Sequence, residues 1–161
     1  MKVTFQGEPL TLEGTQVKVG DNAPDFTVVG NDLNPIKFSE TKGKRILLGV
    51  PSLDTPVCDM EVRKFNEEAS KLNDVTVCTI SMDLPFAQAR WCGNAGIKNV
   101  ITASDYKDRE FSKNYGLYIK ELGLVSRAVI VVDENNKVVY TEYLSEITNE
   151  PNYEAALKHV K

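Results

Sequence analysis

The sequence predicts an α/β fold: a mixed central sheet flanked by helices, with a β-hairpin at the N-terminus. Three observations carry that prediction. A continuous apolar run at Arg45 to Val50 is followed by further segments of strand length and composition at Val75 to Ser81 and Ala128 to Val132. Segments with helical spacing separate the first two runs and follow the second. A short alternating segment opens the chain. No repeat, low-complexity tract or linker interrupts the 161 residues, so residues 1–161 form a single expected domain, with residues 1–14 as a hairpin extension.

Element by element, Val3-Thr4-Phe5 and Leu10-Thr11-Leu12 make the hairpin, with Gly7-Glu8-Pro9 as its turn. A loop from Gly20 leads to a short strand, Phe26 to Val29. Arg45 to Val50, ending at Pro51, has the pattern of a central strand buried on both faces. The next segment places Cys58, Val62, Phe65, Ala69 and Leu72 on one helical stripe. After the strand Val75 to Ser81 comes a helix from Pro85 to Asn94, ending near Gly96. Val100 to Ala103 is a short strand, and Arg109 to Tyr115 a helix stopped by Gly116. Ala128 to Val132 and Lys137 to Tyr143 pair around the turn Asp133-Glu134-Asn135-Asn136, and Asn152 to His159 closes the chain as a helix. This order suits a thioredoxin-like core with added elements.

A net charge of -4 with no Lys/Arg run argues against nucleic acid as a partner. No segment has the apolar length of a signal peptide or a membrane span, so a soluble, cytoplasmic protein is expected. The three cysteines, Cys58, Cys78 and Cys92, are an odd count that suggests no structural disulfide framework. The count fits one catalytic pair and a bystander.

The chemistry concentrates at Pro51-Ser52-Leu53-Asp54-Thr55-Pro56-Val57-Cys58. Thr55 is a hydroxyl N-cap and Pro56 the first helical residue, which places Cys58 at the third helical position. Unpaired N–H groups and the helix dipole favour an anion there, biasing the thiol toward the nucleophilic thiolate. A helix N-terminus contributes ~0.3–1 kcal/mol, or ~2 in a sheltered site, so a cation is needed as well. Arg127, at the mouth of the strand Ala128 to Val132, is the first choice, although a strand-end arginine reaching into solvent fits the same pattern. Arg63, five residues beyond Cys58, turns away from it and suits a solvated helix face. A thiolate here attacks one peroxide oxygen and expels the other, leaving a sulfenic acid. The Thr55 hydroxyl, the Cys58 N–H and Arg127 are the expected donors to the developing charge, with Pro51 and Pro56 shaping the pocket.

Cys92, near the far end of the second helix, is either a resolving thiol or a packing residue. Cys78, mid-strand, reads as a bystander.

Other chemistries lack their parts. The only histidine, His159, lies near the chain end, which leaves a Cys–His hydrolase without its base. Three scattered cysteines and one histidine do not make a zinc site, and no Cys-x-x-Cys, phosphate loop or dinucleotide fingerprint is present. The rival from another class is a non-catalytic thioredoxin-fold interaction or chaperone module in which Cys58 is filler.

The pattern Pro51-x-x-x-Thr55-x-x-Cys58 resembles the active-site signature of peroxiredoxins, and Gly20-Asp21-x-Ala23-Pro24-Asp25-Phe26 resembles their N-terminal segment. Ser81-x-Asp83-Leu84-Pro85-Phe86-Ala87 through Arg90-Trp91-Cys92 is similar to a stretch marking the bacterial thiol peroxidase branch, an atypical two-cysteine group. This resemblance implies a thioredoxin fold, with Cys58 as the peroxidatic cysteine and Cys92 as the resolving cysteine of the same subunit. It also implies that Thr55 and Arg127 activate Cys58 and bind peroxide, and that Pro51 shields the pocket. Hydrogen peroxide and alkyl hydroperoxides would be substrates, thioredoxin the reductant and a homodimer the assembly, with no metal or organic cofactor. Cys78 is not part of the family pattern.

Overall fold

The computed structural model describes residues 1–95 and 100–161. Its strands are β1 Lys2–Phe5, β2 Glu8–Glu13, β3 Thr27–Gly30, β4 Pro35–Lys37, β5 Lys44–Gly49, β6 Val75–Ser81, β7 Val100–Ser104, β8 Tyr118–Ile119, β9 Leu124–Val125, β10 Ala128–Val132 and β11 Val138–Tyr143. Its α-helices are α1 Pro56–Ala69, α2 Pro85–Ala95, α3 Glu110–Asn114 and α4 Tyr153–Leu157. The expected end of α2 near Gly96 lies outside the described residues.

The central sheet runs β11-β10-β5-β6-β7-β3-β4. β5, β6 and β7 are parallel, joined by α1 and α2, and the remaining pairs are antiparallel. The mixed sheet therefore arises where βαβ crossovers give way to the hairpin β10–β11. Alternation divides the core into two layers. Leu47, Cys78, Ile80 and Ile130 face one cluster together with Phe111 and Tyr115. Ile46, Leu48, Val77 and Val129 face the other, beneath α1 and α4. Fully burying a side chain such as Phe65 from α1 contributes ~1.5–3 kcal/mol to holding that helix down.

The hairpin departs from its expected turn. Gln6 and Gly7 both take positive φ, 51° and 84°, the conformation that joins two strands by a two-residue loop. Glu8 and Pro9 consequently belong to β2, opposite Phe5 and Thr4. The hairpin is also not isolated. β2 continues into β8 and β9, forming a second sheet with its own core of Val3, Leu10, Leu12, Ile119 and Ile147. At Gly116 the chain takes φ +68°, and a Cβ there would lie 2.6 Å from the Gln16 backbone nitrogen, which accounts for glycine at this stop.

Candidate active site

Strand pairing brings the site together. Ala128 of β10 lies opposite Gly49 at the end of β5. Arg127, just before β10, therefore stands beside the loop that leads from β5 into α1. In that loop Thr55 caps α1 as expected, its Oγ1 accepting from the Cys58 N–H at 3.3 Å. The same hydroxyl donates to the Ser52 carbonyl at 3.0 Å. The loop is pinned further by Asp83, which accepts from Ser52 Oγ at 2.7 Å and the Leu53 N–H at 2.8 Å.

Cys58 is fully buried. Arg127 is buried too, at 2 % exposure, which rules out the solvent-directed geometry. Its Nη2 donates to Cys58 Sγ at 3.0 Å, its Nη1 to Glu61 Oε2 at 2.9 Å and its Nε to the Ile147 carbonyl at 2.6 Å. These three bonds fix the guanidinium plane and hold a positive charge against the sulfur. Pro51 is buried and, with Phe5, Thr55, Val57, Arg127 and Ile147, contributes to the lining of a pocket of about 310 Å³.

One expectation changes. The Thr55 hydroxyl proton and the Cys58 N–H, expected as donors to substrate, are engaged with Ser52 and Thr55 respectively. Arg127 is thus the donor held at the sulfur. Thr55 Oγ1 retains a second lone pair that can accept from a peroxide O–H.

Glu61 is the site residue that the sequence reading missed. It lies on the inward face of α1 with 0 % exposure, and burial pushes its carboxyl up to about 8 against the pull of Arg127. Its Oε1 is buried with no hydrogen-bond partner among the described residues. A glutamate three positions after Cys58, between stripe residues, was the available signal.

The second helix places Cys92 on the same side of the sheet as Cys58. Trp91 packs against the cluster that contains Cys58, and Cys92 Sγ sits 3.2 Å from Thr102 Oγ1 of β7. Cys78 faces the opposite cluster, and burial pushes its thiol up to about 12, as suits an inert core thiol. All three cysteines are free thiols. Arg63 is exposed and pairs with Asp59 at 2.9 Å. Among the described residues no group of His, Cys, Asp and Glu could hold a metal ion, and no helix is long and apolar enough to cross a membrane.

A buried cysteine in the first turn of a helix, under a fixed guanidinium on a mixed sheet, defines a thiol-redox protein of the α/β class. The Redoxin family model matches residues 18–157. A thiol peroxidase of Clostridium acetobutylicum is 58% identical over 158 residues, covering 98% of this chain and 96% of that protein. One of Bacillus subtilis is 57% identical over 161 residues, covering 99% and 96%. The crystal structure of a peroxiredoxin-like protein from Aquifex aeolicus matches with a TM-score of 0.92 at 42% identity, covering 99% of this chain and 95% of that one. The chain belongs to the redoxin family and, within it, to the bacterial thiol peroxidases, enzymes of the peroxiredoxin type with a thioredoxin-like fold.

Proposed function

We propose that this peroxidase reduces hydrogen peroxide and organic hydroperoxides through Cys58, resolves the product through Cys92 and is recycled by thioredoxin. The contact of Arg127 Nη2 with Cys58 Sγ at 3.0 Å carries the reading. A guanidinium at that distance donates to the sulfur and pairs with negative charge that develops there. The thiolate attacks the nearer peroxide oxygen and the O–O bond breaks. The distal oxygen leaves with the electron pair, as hydroxide or alkoxide, and takes up a proton. Cys58 is left as a sulfenic acid. Arg127 supports the charge as it moves, and Thr55 Oγ1 orients the peroxide by accepting its O–H. Pro51, which has no N–H to offer water, closes the pocket. The Cys92 thiolate then attacks the Cys58 sulfur, hydroxide leaves and takes up a proton as water, and the disulfide forms. A dithiol reductant of the thioredoxin class restores both thiols.

Family membership supports the rest of the proposal. The chain acts as one domain with residues 1–14 as its hairpin extension, works as a cytoplasmic homodimer, and serves antioxidant defence.

One equivalent of hydrogen peroxide added to reduced protein is expected to remove two of the three thiols. Cys92→Ala is expected to hold a sulfenic acid that a dimedone-type probe traps, and Cys58→Ser to lose the reaction. Slow, unselective thiol loss would instead favour a non-catalytic interaction or chaperone module.

The pocket wall supports organic hydroperoxides as substrates. Phe5, Val57 and Ile147 offer apolar surface beside Arg127. Phe5→Ala is expected to lower the ratio of kcat/KM for cumene hydroperoxide to that for hydrogen peroxide about fivefold, because only the bulky substrate buries area on the ring. An unchanged ratio would exclude the hairpin from the organic subsite.

A further inference from the structure

The residue after Cys58 is hydrogen-bonded to the residue before Cys92. Trp91 Nε1 donates to Asp59 Oδ1 at 2.9 Å. The other oxygen of Asp59 holds Arg63 at 2.9 Å, and that guanidinium stands 5.7 Å from the Trp91 ring centroid. A second carboxylate does similar work at the other end of α2. Asp83, two residues before α2, accepts from Ser52 and Leu53 of the loop that feeds α1. Asp83 also accepts from Ser81 Oγ at 2.7 Å, and Gln88 of α2 donates to that same hydroxyl at 3.0 Å. The peroxidatic and resolving segments are thus joined at two points by carboxylates.

Within this joined arrangement the thiols are held apart. Cys58 Sγ is anchored by Arg127 at the start of β10, whereas Cys92 Sγ is anchored by Thr102 on β7. Those strands are three positions apart in the sheet order, on the order of 14 Å at the usual strand spacing. A disulfide needs Cα atoms within about 7 Å. At least one segment must therefore leave its present seat before the sulfurs can bond.

We infer that Asp59, through Trp91, and Asp83, through Ser52 and Leu53, are positioning residues that hold the two thiol-bearing segments in the peroxide-reactive arrangement and restrain the disulfide step. The inference rests on Cys92 being the resolving thiol. The trigger is local. Oxidation adds an oxygen to a sulfur with 0 % exposure, which crowds its seat beside Arg127 and loosens the first turn of α1. The carboxylate joints set how readily that loosening becomes separation.

The test is rapid mixing of the full reduced chain with hydrogen peroxide. Sulfenate formation is followed by competition with a peroxide scavenger. Disulfide formation is followed by thiol blocking and mass analysis. In Asp59→Ala the ratio of the disulfide rate to the sulfenate rate is expected to rise about fivefold, the weight of one net hydrogen bond. The fraction over-oxidised to sulfinic acid under excess peroxide falls accordingly. Asp59→Asn, whose amide oxygen still accepts from Trp91, returns the ratio toward wild type, a rescue that general loosening of the fold does not give. Asp83→Ala moves the ratio the same way. A ratio unchanged or lowered in Asp59→Ala and Asp83→Ala overturns the inference. Absence of any disulfide in the wild type instead overturns the assignment of Cys92.

Discussion

Arg127→Met is expected to slow peroxide reduction by about a thousandfold and to cost ~1–3 kcal/mol of stability. Both effects arise from the same three bonds. The guanidinium, on a residue with only 2 % exposure, is the cation against Cys58 Sγ, the partner of Glu61 and the donor to the Ile147 carbonyl. Its removal leaves the Cys58 sulfur and a buried Glu61 carboxyl oxygen without their shared donor. Arg127→Lys separates the two functions. A lysine keeps a charge but cannot reach three acceptors in a fixed plane, so it is expected to retain most of the stability and lose about tenfold to a hundredfold in rate. Stopped-flow peroxide consumption and thermal melts of both variants check this. Rates at the wild-type level in the lysine and methionine variants would move the activating charge away from residue 127.

The site shows which kind of information the sequence carries openly. Thr55-Pro56-Val57-Cys58 announces its own geometry, because capping and a proline at the first helical position act within four residues. The strands β6 and β10 match the expected segments end to end, since each is rich in β-branched residues over a length that polar residues delimit. The direction of Arg127 was not legible. It depends on the register that sets Ala128 against Gly49, a pairing made across the sheet. Glu61 was hidden for a related reason. On a helical wheel it interrupts an apolar stripe, and its partner lies 66 residues further on.

The short elements were hidden differently. β8 and β9 have two residues each, too few to display an alternation. They exist because β2 supplies the edge on which they pair, and that edge makes the N-terminal hairpin part of a second sheet. The turn Gln6–Gly7 lacks the asparagine or aspartate that usually marks such a loop, which is why the sequence pattern shifted it toward Gly7-Glu8-Pro9. Its placement bears on the proposed function, because Phe5 and Gln6 then line the pocket beside Arg127.

Glu61→Gln is expected to change how both stability and activity depend on pH. Burial raises the Glu61 carboxyl from its ordinary 4.5 to about 8, with Arg127 pulling the other way. Between those values the folded chain keeps a proton that the unfolded chain has released. The stability this group contributes is therefore complete below 4.5 and is lost as pH rises through about 8. Glutamine carries no such proton, yet its amide oxygen can still accept from Arg127. The melting temperature of the variant should fall less than that of the wild type between about pH 5.5 and about pH 8.5, with a gap of ~4 °C or more at the alkaline end. Activity follows the same charge. While Glu61 is protonated, the charge of Arg127 serves the Cys58 sulfur alone, and the variant reacts with peroxide at the wild-type rate. Once Glu61 ionises, two anions share one guanidinium, and the variant becomes the faster enzyme by about threefold, the worth of a weakened charge-assisted bond. Parallel melting curves and a constant activity ratio across this range would mean that Glu61 stays ionised throughout, so that Arg127 always divides its charge between carboxylate and sulfur.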